Sequence, residues 1–102
     1  MSWRVVVRPE IEKDLRQAAD WYDSHEEGLG SRFIDEVLQV FEALAKNPLL
    51  RSRKHSAKSI RWRYAENFPY RVIYEVLERE KSIVIAAVIH AARHDRHWKR
   101  RL

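Results

Sequence analysis

The sequence has no cysteine, and among its 102 residues it has only two glycines and three prolines. Without cysteine there can be no disulfide and no cysteine-ligated zinc, and a reducing cytoplasm is the natural compartment. So few glycines argue against a glycine-rich phosphate loop, and no Walker sequence is present. The longest apolar run, Ile83–Ile89, is far shorter than the roughly 20 residues of a membrane-spanning helix. We therefore expect a cytoplasmic protein with no membrane segment and no secretory signal.

Charge is unevenly distributed along the chain, which has a net charge of +5. Residues 1–50 contain six Lys and Arg against ten Asp and Glu, a net charge of −4. Residues 51–102 contain fourteen against five, a net charge of +9. Such segregation predicts that a polyanion or an acidic protein docks on the C-terminal half.

The first half of the chain predicts one strand followed by two helices. A short strand is indicated by two alternating sets of residues, Trp3, Val5 and Val7 on one face and Arg4, Val6 and Arg8 on the other. Pro9 suits the first turn of a helix, and the apolar stripe that follows continues to about Glu26. Ser31 is the expected N-cap of a second amphipathic helix, which ends before Pro48. The short link predicts an antiparallel helix hairpin.

The second half predicts three strands joined by short turns. The segments 60–64 and 68–77 alternate, and the almost wholly apolar segment 83–90 is typical of a strand covered on both faces. Residues 50–59 predict a loop or an irregular edge strand. The predicted order is β-α-α-β-β-β in a single α+β domain over 1–102. The helix hairpin packs on a roughly four-stranded, mostly antiparallel sheet, followed by a short basic C-terminal tail.

Three arginines of the predicted sheet are candidates for an anion site. We expect the helices to cover the face that carries Ile60, Trp62, Tyr64, Val72 and Tyr74. The opposite face then carries Arg61, Arg63 and Arg71, whose like charges repel unless an anion meets them. Arginine suits phosphate because its planar fork donates two charge-assisted hydrogen bonds. The alternative is a solvated sheet face that uses arginine for solubility.

Histidine is the second candidate for chemistry. His90 ends the apolar strand, three residues before Arg93, and an imidazole can transfer protons near neutral pH. His94 and His97 follow, but no nearby carboxylate completes a convincing ligand set, so we expect no metal and no cofactor. The alternative for His90 is a structural role at the strand end.

Several short motifs follow one another in the second half of the chain. The strand that begins at Phe68 reads Phe-Pro-Tyr-Arg-Val-Ile-Tyr, and the apolar strand is followed by His90-x-x-Arg93 and then Trp98-x-x-Arg101. In this order and spacing, the motifs resemble the RelE/ParE superfamily of bacterial toxins. The helical segment 19–22 and the apolar stripe over 33–44 are also similar, so the resemblance covers nearly the whole chain. It implies a toxin of a type II toxin–antitoxin module, which inhibits growth and is neutralised by a cognate antitoxin.

The family implies two alternative activities and a set of site residues. RelE-like members cut mRNA on the ribosome as metal-independent endoribonucleases, whereas ParE-like members poison DNA gyrase. For a nuclease, the resemblance makes Arg71 the contact to the scissile phosphate and His90 the group that moves a proton. Arg61, Arg63 and Arg93 then bind substrate.

The C-terminal tail bears on the choice between these activities. By the resemblance, Trp98 and Arg101 contact the target. Several nuclease members have a functional tyrosine near the C-terminus, but no tyrosine follows Tyr74 here, and the tail is closer to ParE-like sequences. The sequence therefore leaves two possible targets, the ribosome with its mRNA or DNA gyrase. Two further alternatives are a non-enzymatic nucleic-acid-binding module and an inactive toxin-like interaction protein.

Overall fold

A computed structural model describes residues 2–55 and 59–93, and it confirms the α+β class and the predicted order of elements. The chain forms β1 (Arg4–Val7), α1 (Pro9–His25), α2 (Leu29–Lys46), β2 (Arg53–Lys54), β3 (Ile60–Tyr64), β4 (Tyr70–Leu77) and β5 (Ser82–His90). The sheet has five strands rather than about four, because the two residues of β2 pair with β3 and extend the edge.

The two helices begin and end close to their sequence signals, with one correction. Pro9 opens α1, and Glu10 and Glu12 lie in its first turn, where carboxylates complement the helix dipole. The predicted N-cap at Ser31 is wrong, because α2 begins at Leu29 with Gly28 as its cap. Gly28 has φ 87°, a left-handed conformation that reverses the chain in fewer residues than we expected. Neither of these helices has the length and apolarity needed to cross a bilayer.

The helix hairpin closes tightly around Gly30. The Gly30 N–H donates a 2.8 Å hydrogen bond to Asp23 Oδ1 on the facing helix. A Cβ at Gly30 would lie 2.5 Å from the Ala19 carbonyl oxygen and 2.7 Å from Asp23 Oδ2. Glycine is therefore required here for the close approach of the two backbones.

The sheet has the strand order β1-β5-β4-β3-β2. Strands β3 to β5 form the predicted antiparallel meander, and β2 extends it. The two helices connect β1 to β2 across the sheet, and β1 pairs in parallel with β5 at the opposite edge. The β4–β5 ladder contains one irregularity: Ile73 lies opposite Ala87, but Tyr74 lies opposite Ile85. Ala86 is therefore an extra residue in β5, a β-bulge that shifts the alternation of the strand.

The main core lies between the helices and one face of the sheet, here called the helix face. It contains apolar residues from α1, α2, β4 and β5, including Ile11, Phe33, Leu44, Val72, Tyr74 and Ile85. The other side of the sheet, here called the helix-free face, contains a second buried cluster. That cluster consists of Ile60, Ile73, Ala86, Ala87 and Ile89, with Trp62 packed against it.

Candidate functional site

The register between β3 and β4 separates the three candidate arginines. Arg61 lies opposite Tyr74 and Arg63 lies opposite Val72, so both project to the helix face. Arg71 lies opposite Tyr64 and projects to the helix-free face. The prediction that Arg61, Arg63 and Arg71 share one face is therefore wrong.

The same register corrects the expected packing of β3. We expected Ile60, Trp62 and Tyr64 beneath the helices, but Ile60 and Trp62 belong to the cluster on the helix-free face. Only Val72 and Tyr74 of the predicted set face the helices. Alternation divides a strand into two sets of residues but does not show which set faces the helices. In β3 the arginines are the set on the helix face, near the edge of the sheet.

Arg61 and Arg63 tie β3 to the segment that follows α2. Arg61 Nη1 donates a 2.9 Å hydrogen bond to Ser52 Oγ, and Arg63 Nη1 lies 3.5 Å from the Leu50 carbonyl oxygen. Both guanidinium groups favour ionisation of Tyr74, but burial outweighs them and raises the pKa of its phenol. These contacts give both arginines a positioning role at the sheet edge.

Arg71 belongs to a group of aromatic and basic side chains on the helix-free face. Its Cζ lies 5.4 Å from the centre of the Trp62 ring, and Arg53 Cζ lies 5.8 Å from the same ring. Tyr64 meets Trp62 edge to face at 5.1 Å. Arg71 Nη2 also donates a 3.1 Å hydrogen bond to the Arg93 carbonyl oxygen. Cation–π contact and this hydrogen bond therefore fix the guanidinium close to the end of β5.

His90 ends β5, as predicted, but on the other side of the sheet from Arg71. It lies opposite Tyr70, with ring centres 5.4 Å apart, whereas Arg71 lies opposite the neighbouring Ile89. The Ala92 N–H donates to His90 Nδ1 at 3.0 Å, so the neutral ring carries its proton on Nε2. The two predicted catalytic residues thus project from opposite faces.

A groove of about 690 Å³ lies between α1 and the ends of β4 and β5. His90 and Arg93 line it together with apolar side chains, and Asp14 accepts a 3.4 Å hydrogen bond from the Val88 N–H. Trp21 also lines the groove and is 56% exposed, with its ring packed against those of Tyr22 and His25. Helical periodicity could have placed Trp21 beside Ala18 and Asp14, but it could not have shown that the indole stays exposed after α1 packs on the sheet.

The remaining predicted site residues, Trp98 and Arg101, lie outside the described residues, as do His94 and His97. Within 2–55 and 59–93, no three His, Asp or Glu side chains are grouped so that they could hold a metal ion. The described candidate residues therefore fall into three groups: Arg61 with Arg63, Arg71 with Trp62, and His90 with Arg93.

Comparison with known proteins decides the family. The family model of the ParE toxin of the type II toxin–antitoxin system parDE matches residues 5–95. The chain belongs to the ParE toxin family. A search of curated proteins found no match.

Solved structures share the ParE-family fold at low sequence identity. The chromosomal ParDE system of P. aeruginosa has a TM-score of 0.75 at 14% identity, with 87% of this chain and 96% of that chain covered. The RelE–RelB complex of Pyrococcus horikoshii has a TM-score of 0.68 at 20% identity, with 92% and 100% covered. The RelBE2 complex of Mycobacterium tuberculosis has a TM-score of 0.67 at 17% identity, with 88% and 99% covered. RelE-type and ParE-type proteins therefore share this architecture.

Proposed function

We propose that this ParE-family toxin inhibits growth by acting on DNA gyrase and does not cut mRNA. The observation that carries the proposal is the projection of Arg71 and His90 from opposite faces of the sheet. A metal-independent ribonuclease needs a proton-transfer group and a charge-stabilising group within hydrogen-bond reach of one phosphate. Because the two side chains leave the sheet on opposite faces, this arrangement favours a target other than a phosphate held between them.

The contacts of Arg71 support the same conclusion. Its guanidinium lies over Trp62 and donates to the Arg93 carbonyl oxygen, so part of its hydrogen-bonding capacity serves the fold. The match to the ParE family model and the absence of a tyrosine after Tyr74 add independent support. On this proposal the target is a protein surface, and Trp98 and Arg101 of the tail contribute to its recognition.

The proposed partner is a cognate antitoxin that covers the groove and the helix hairpin. The groove combines an exposed indole at Trp21 with His90 and Arg93 at its rim. An amphipathic segment with acidic residues would bury the indole and neutralise the rim, as in helix-in-groove recognition. The solved ParDE system and the RelBE2 complex are toxin–antitoxin assemblies, which supports a partner of this kind.

Two purified assays separate the target classes. In the first, the toxin is incubated with DNA gyrase and supercoiled plasmid, and trapped cleavage complexes are counted as linear DNA after protease treatment. In the second, it is incubated with programmed ribosomes, and mRNA cleavage is mapped by primer extension. We expect trapped gyrase–DNA complexes and intact mRNA.

Variants make the outcome specific. Arg71→Ala and His90→Ala should each retain gyrase poisoning within a few fold, whereas Trp98→Ala with Arg101→Ala should lose it. Circular dichroism spectra matched to the parent protein control for folding. Site-specific mRNA cleavage that disappears in Arg71→Ala would overturn the proposal in favour of the nuclease. Binding to naked nucleic acid without either activity, or normal growth on expression of the folded chain, would favour a binding module or an inactive relative.

A further inference from the structure

The groove between α1 and the ends of β4 and β5 has an aromatic lining. The ring centres of Trp21 and Tyr22 lie 5.1 Å apart, those of Tyr22 and Tyr70 lie 6.0 Å apart, and those of Tyr70 and His90 lie 5.4 Å apart. All four residues line the cavity of about 690 Å³, a volume that is ordinary for a small-molecule site. The groove therefore has the size and the apolar surface to hold a compact ligand with an aromatic group.

Hydrogen-bond donors lie together at the strand end of this groove. The hydroxyls of Tyr22 and Tyr70 donate to no described residue, and neither is among the buried polar atoms, so both are accessible to a ligand. His90 Nδ1 accepts from the Ala92 N–H, which leaves the Nε2–H of the neutral ring as a donor. The charge of Arg93 favours ionisation of Tyr70, although burial raises the pKa of that phenol overall. The guanidinium is therefore close to the phenol, and this end of the groove suits a carboxylate.

The α1 wall of the groove carries the opposite charge. Asp14 lines this wall, and its Oδ2 accepts a 3.4 Å hydrogen bond from the Val88 N–H. Val88 and His90 lie on the same side of β5, and two residues of a strand span about 7 Å. The Asp14 carboxylate therefore lies roughly this distance from the donors around His90. Asp14 and Arg93 form no ion pair with each other in the described part of the chain.

We propose that this groove binds a free α-amino acid with an aromatic side chain. Its carboxylate accepts hydrogen bonds from Arg93, from the His90 Nε2–H and from the Tyr70 hydroxyl. Its ammonium donates to Asp14, and its side chain lies against the exposed indole of Trp21.

The spacing of the two charges favours an amino acid over a ligand with one charge. An α-amino acid has its ammonium and its carboxylate on one carbon, so with a hydrogen bond of about 2.9 Å at each end it bridges Asp14 and the donors around His90. An aromatic anion would meet Arg93 but would bring a like charge towards Asp14. This inference goes beyond the proposed function and does not depend on the target of the toxin.

Three fluorinated ligands test the two charges separately. The probe para-fluoro-L-phenylalanine carries both charges, its amide lacks the carboxylate, and para-fluorophenylpropionate lacks the ammonium. Each ligand is titrated with the full chain, and its fluorine NMR signal reports binding. Loss of one hydrogen bond between charged groups weakens affinity by about tenfold or more. We therefore expect the amide and the propionate each to bind at least about tenfold more weakly than the amino acid.

Two substitutions connect each ligand charge to one residue. Arg93→Gln should weaken binding of the amino acid about tenfold and should not weaken binding of the amide. Asp14→Asn keeps an acceptor for the Val88 N–H, and it should weaken binding of the amino acid but not of the propionate. Arg79→Gln and Asp20→Asn are the matched controls and should change neither affinity, because both residues are exposed and lie outside the groove.

Circular dichroism and thermal unfolding establish that the variants are folded, and the ligand series on the parent chain needs no substitution. Unchanged fluorine signals at millimolar concentrations of the amino acid would overturn the inference. The same holds if the propionate binds as tightly as the amino acid, because the groove would then select aromatic anions. Equal losses for the amino acid and the amide in Arg93→Gln would remove the assignment of the carboxylate. The assay contains neither gyrase nor antitoxin, so failure of the proposed function leaves its result unaffected.

Discussion

Among the described residues, Tyr74 is the largest fully buried side chain, and its hydroxyl has a defined partner. The Tyr74 hydroxyl donates a 2.5 Å hydrogen bond to the Pro48 carbonyl oxygen, which joins β4 to the segment that follows α2. Tyr74→Phe leaves that buried carbonyl without its donor, so we expect the free energy of unfolding to fall by about 1–3 kcal/mol. Urea denaturation measures the change, and Tyr64→Phe, at a residue 50% exposed, should be nearly neutral.

Equal losses in Tyr74→Phe and Tyr64→Phe would show that the hydrogen bond to Pro48 contributes nothing specific. Unchanged slopes of the denaturation curves would confirm that both variants unfold from similarly compact states.

The buried phenols also give the protein a predictable response to alkaline pH. Burial raises the pKa of Tyr74, and also that of Tyr22 and Tyr70, above the ordinary value of about 10. The native state therefore holds these protons at pH values where the unfolded chain releases them. The resulting stability is fully present below pH of about 10 and is lost as the pH rises through the native-state pKa values.

Urea denaturation between pH 8 and pH 11 checks this dependence. The free energy of unfolding should decline above pH of about 10, and the decline should be shallower in Tyr74→Phe, which lacks one of the three phenols. Parallel curves for the two proteins would contradict a raised pKa at Tyr74.

At the scale of the element, the helix hairpin depends on the close approach of the α2 backbone at Gly30 to the α1 backbone at Ala19. Gly30→Ala would place a methyl carbon 2.5 Å from the Ala19 carbonyl oxygen, which helical backbone cannot move aside cheaply. We expect a loss of about 1–3 kcal/mol from overpacking. Ser31→Ala, at the next and exposed position of α2, is the matched control and should change stability by less than about 0.5 kcal/mol.

If Gly30→Ala were as stable as the parent chain, the two helices would have to separate without cost, and the Gly30–Asp23 hydrogen bond should then be absent. Exchange of the Gly30 amide distinguishes these cases, because its hydrogen bond to Asp23 slows exchange only while the helices stay close.

The strands show how far sequence patterns reach and where they stop. The limits of β3, β4 and β5 followed closely from alternation and turn residues. The sequence did not show which face of β3 packs beneath the helices. Ile60 and Trp62 alternate with Arg61 and Arg63 in the same way whichever of the two sets faces the helices. The pairing of Arg61 with the buried Tyr74 determines which face of β3 points towards the helices. These two residues are too far apart in the sequence for a local pattern to predict their pairing.

At the scale of the whole molecule, charge segregation predicts how the toxin meets an acidic partner. The C-terminal half has fourteen basic residues against five acidic ones. Association with an acidic antitoxin should therefore be steered electrostatically, and its rate should fall about tenfold or more between low and high salt. Stopped-flow fluorescence at 20–500 mM sodium chloride measures the rate, with sodium chloride replaced by sucrose as a neutral control.

A rate that does not change with salt would mean that the basic half lies outside the encounter surface. The dissociation rate should vary much less, because it depends on packed contacts more than on long-range attraction.

The order of the helices and strands was predictable from the sequence, because helix stripes and turns are local signals and the family resemblance covers nearly the whole chain. The position of β1 beside β5 and the grouping of the candidate residues were not predictable. The partition of Arg71 and His90 between two faces depends on strand register and on one irregular residue, and neither has a local signature. The exposure of Trp21 in the groove also lacks a local signature, because it depends on how α1 packs against the strands.

The β-bulge at Ala86 has a consequence for aligning this chain with others. Beyond the bulge, His90 faces the helices only because one extra residue has been inserted into β5. A homologue with a regular ladder should show a one-residue gap at Ala86 and should keep its equivalent of His90 opposite Tyr70. An alignment that closes this gap, or moves it beyond His90, equates the histidine with a residue of the opposite surface. Transfer of catalytic roles between branches of the family therefore depends on locating a single gap.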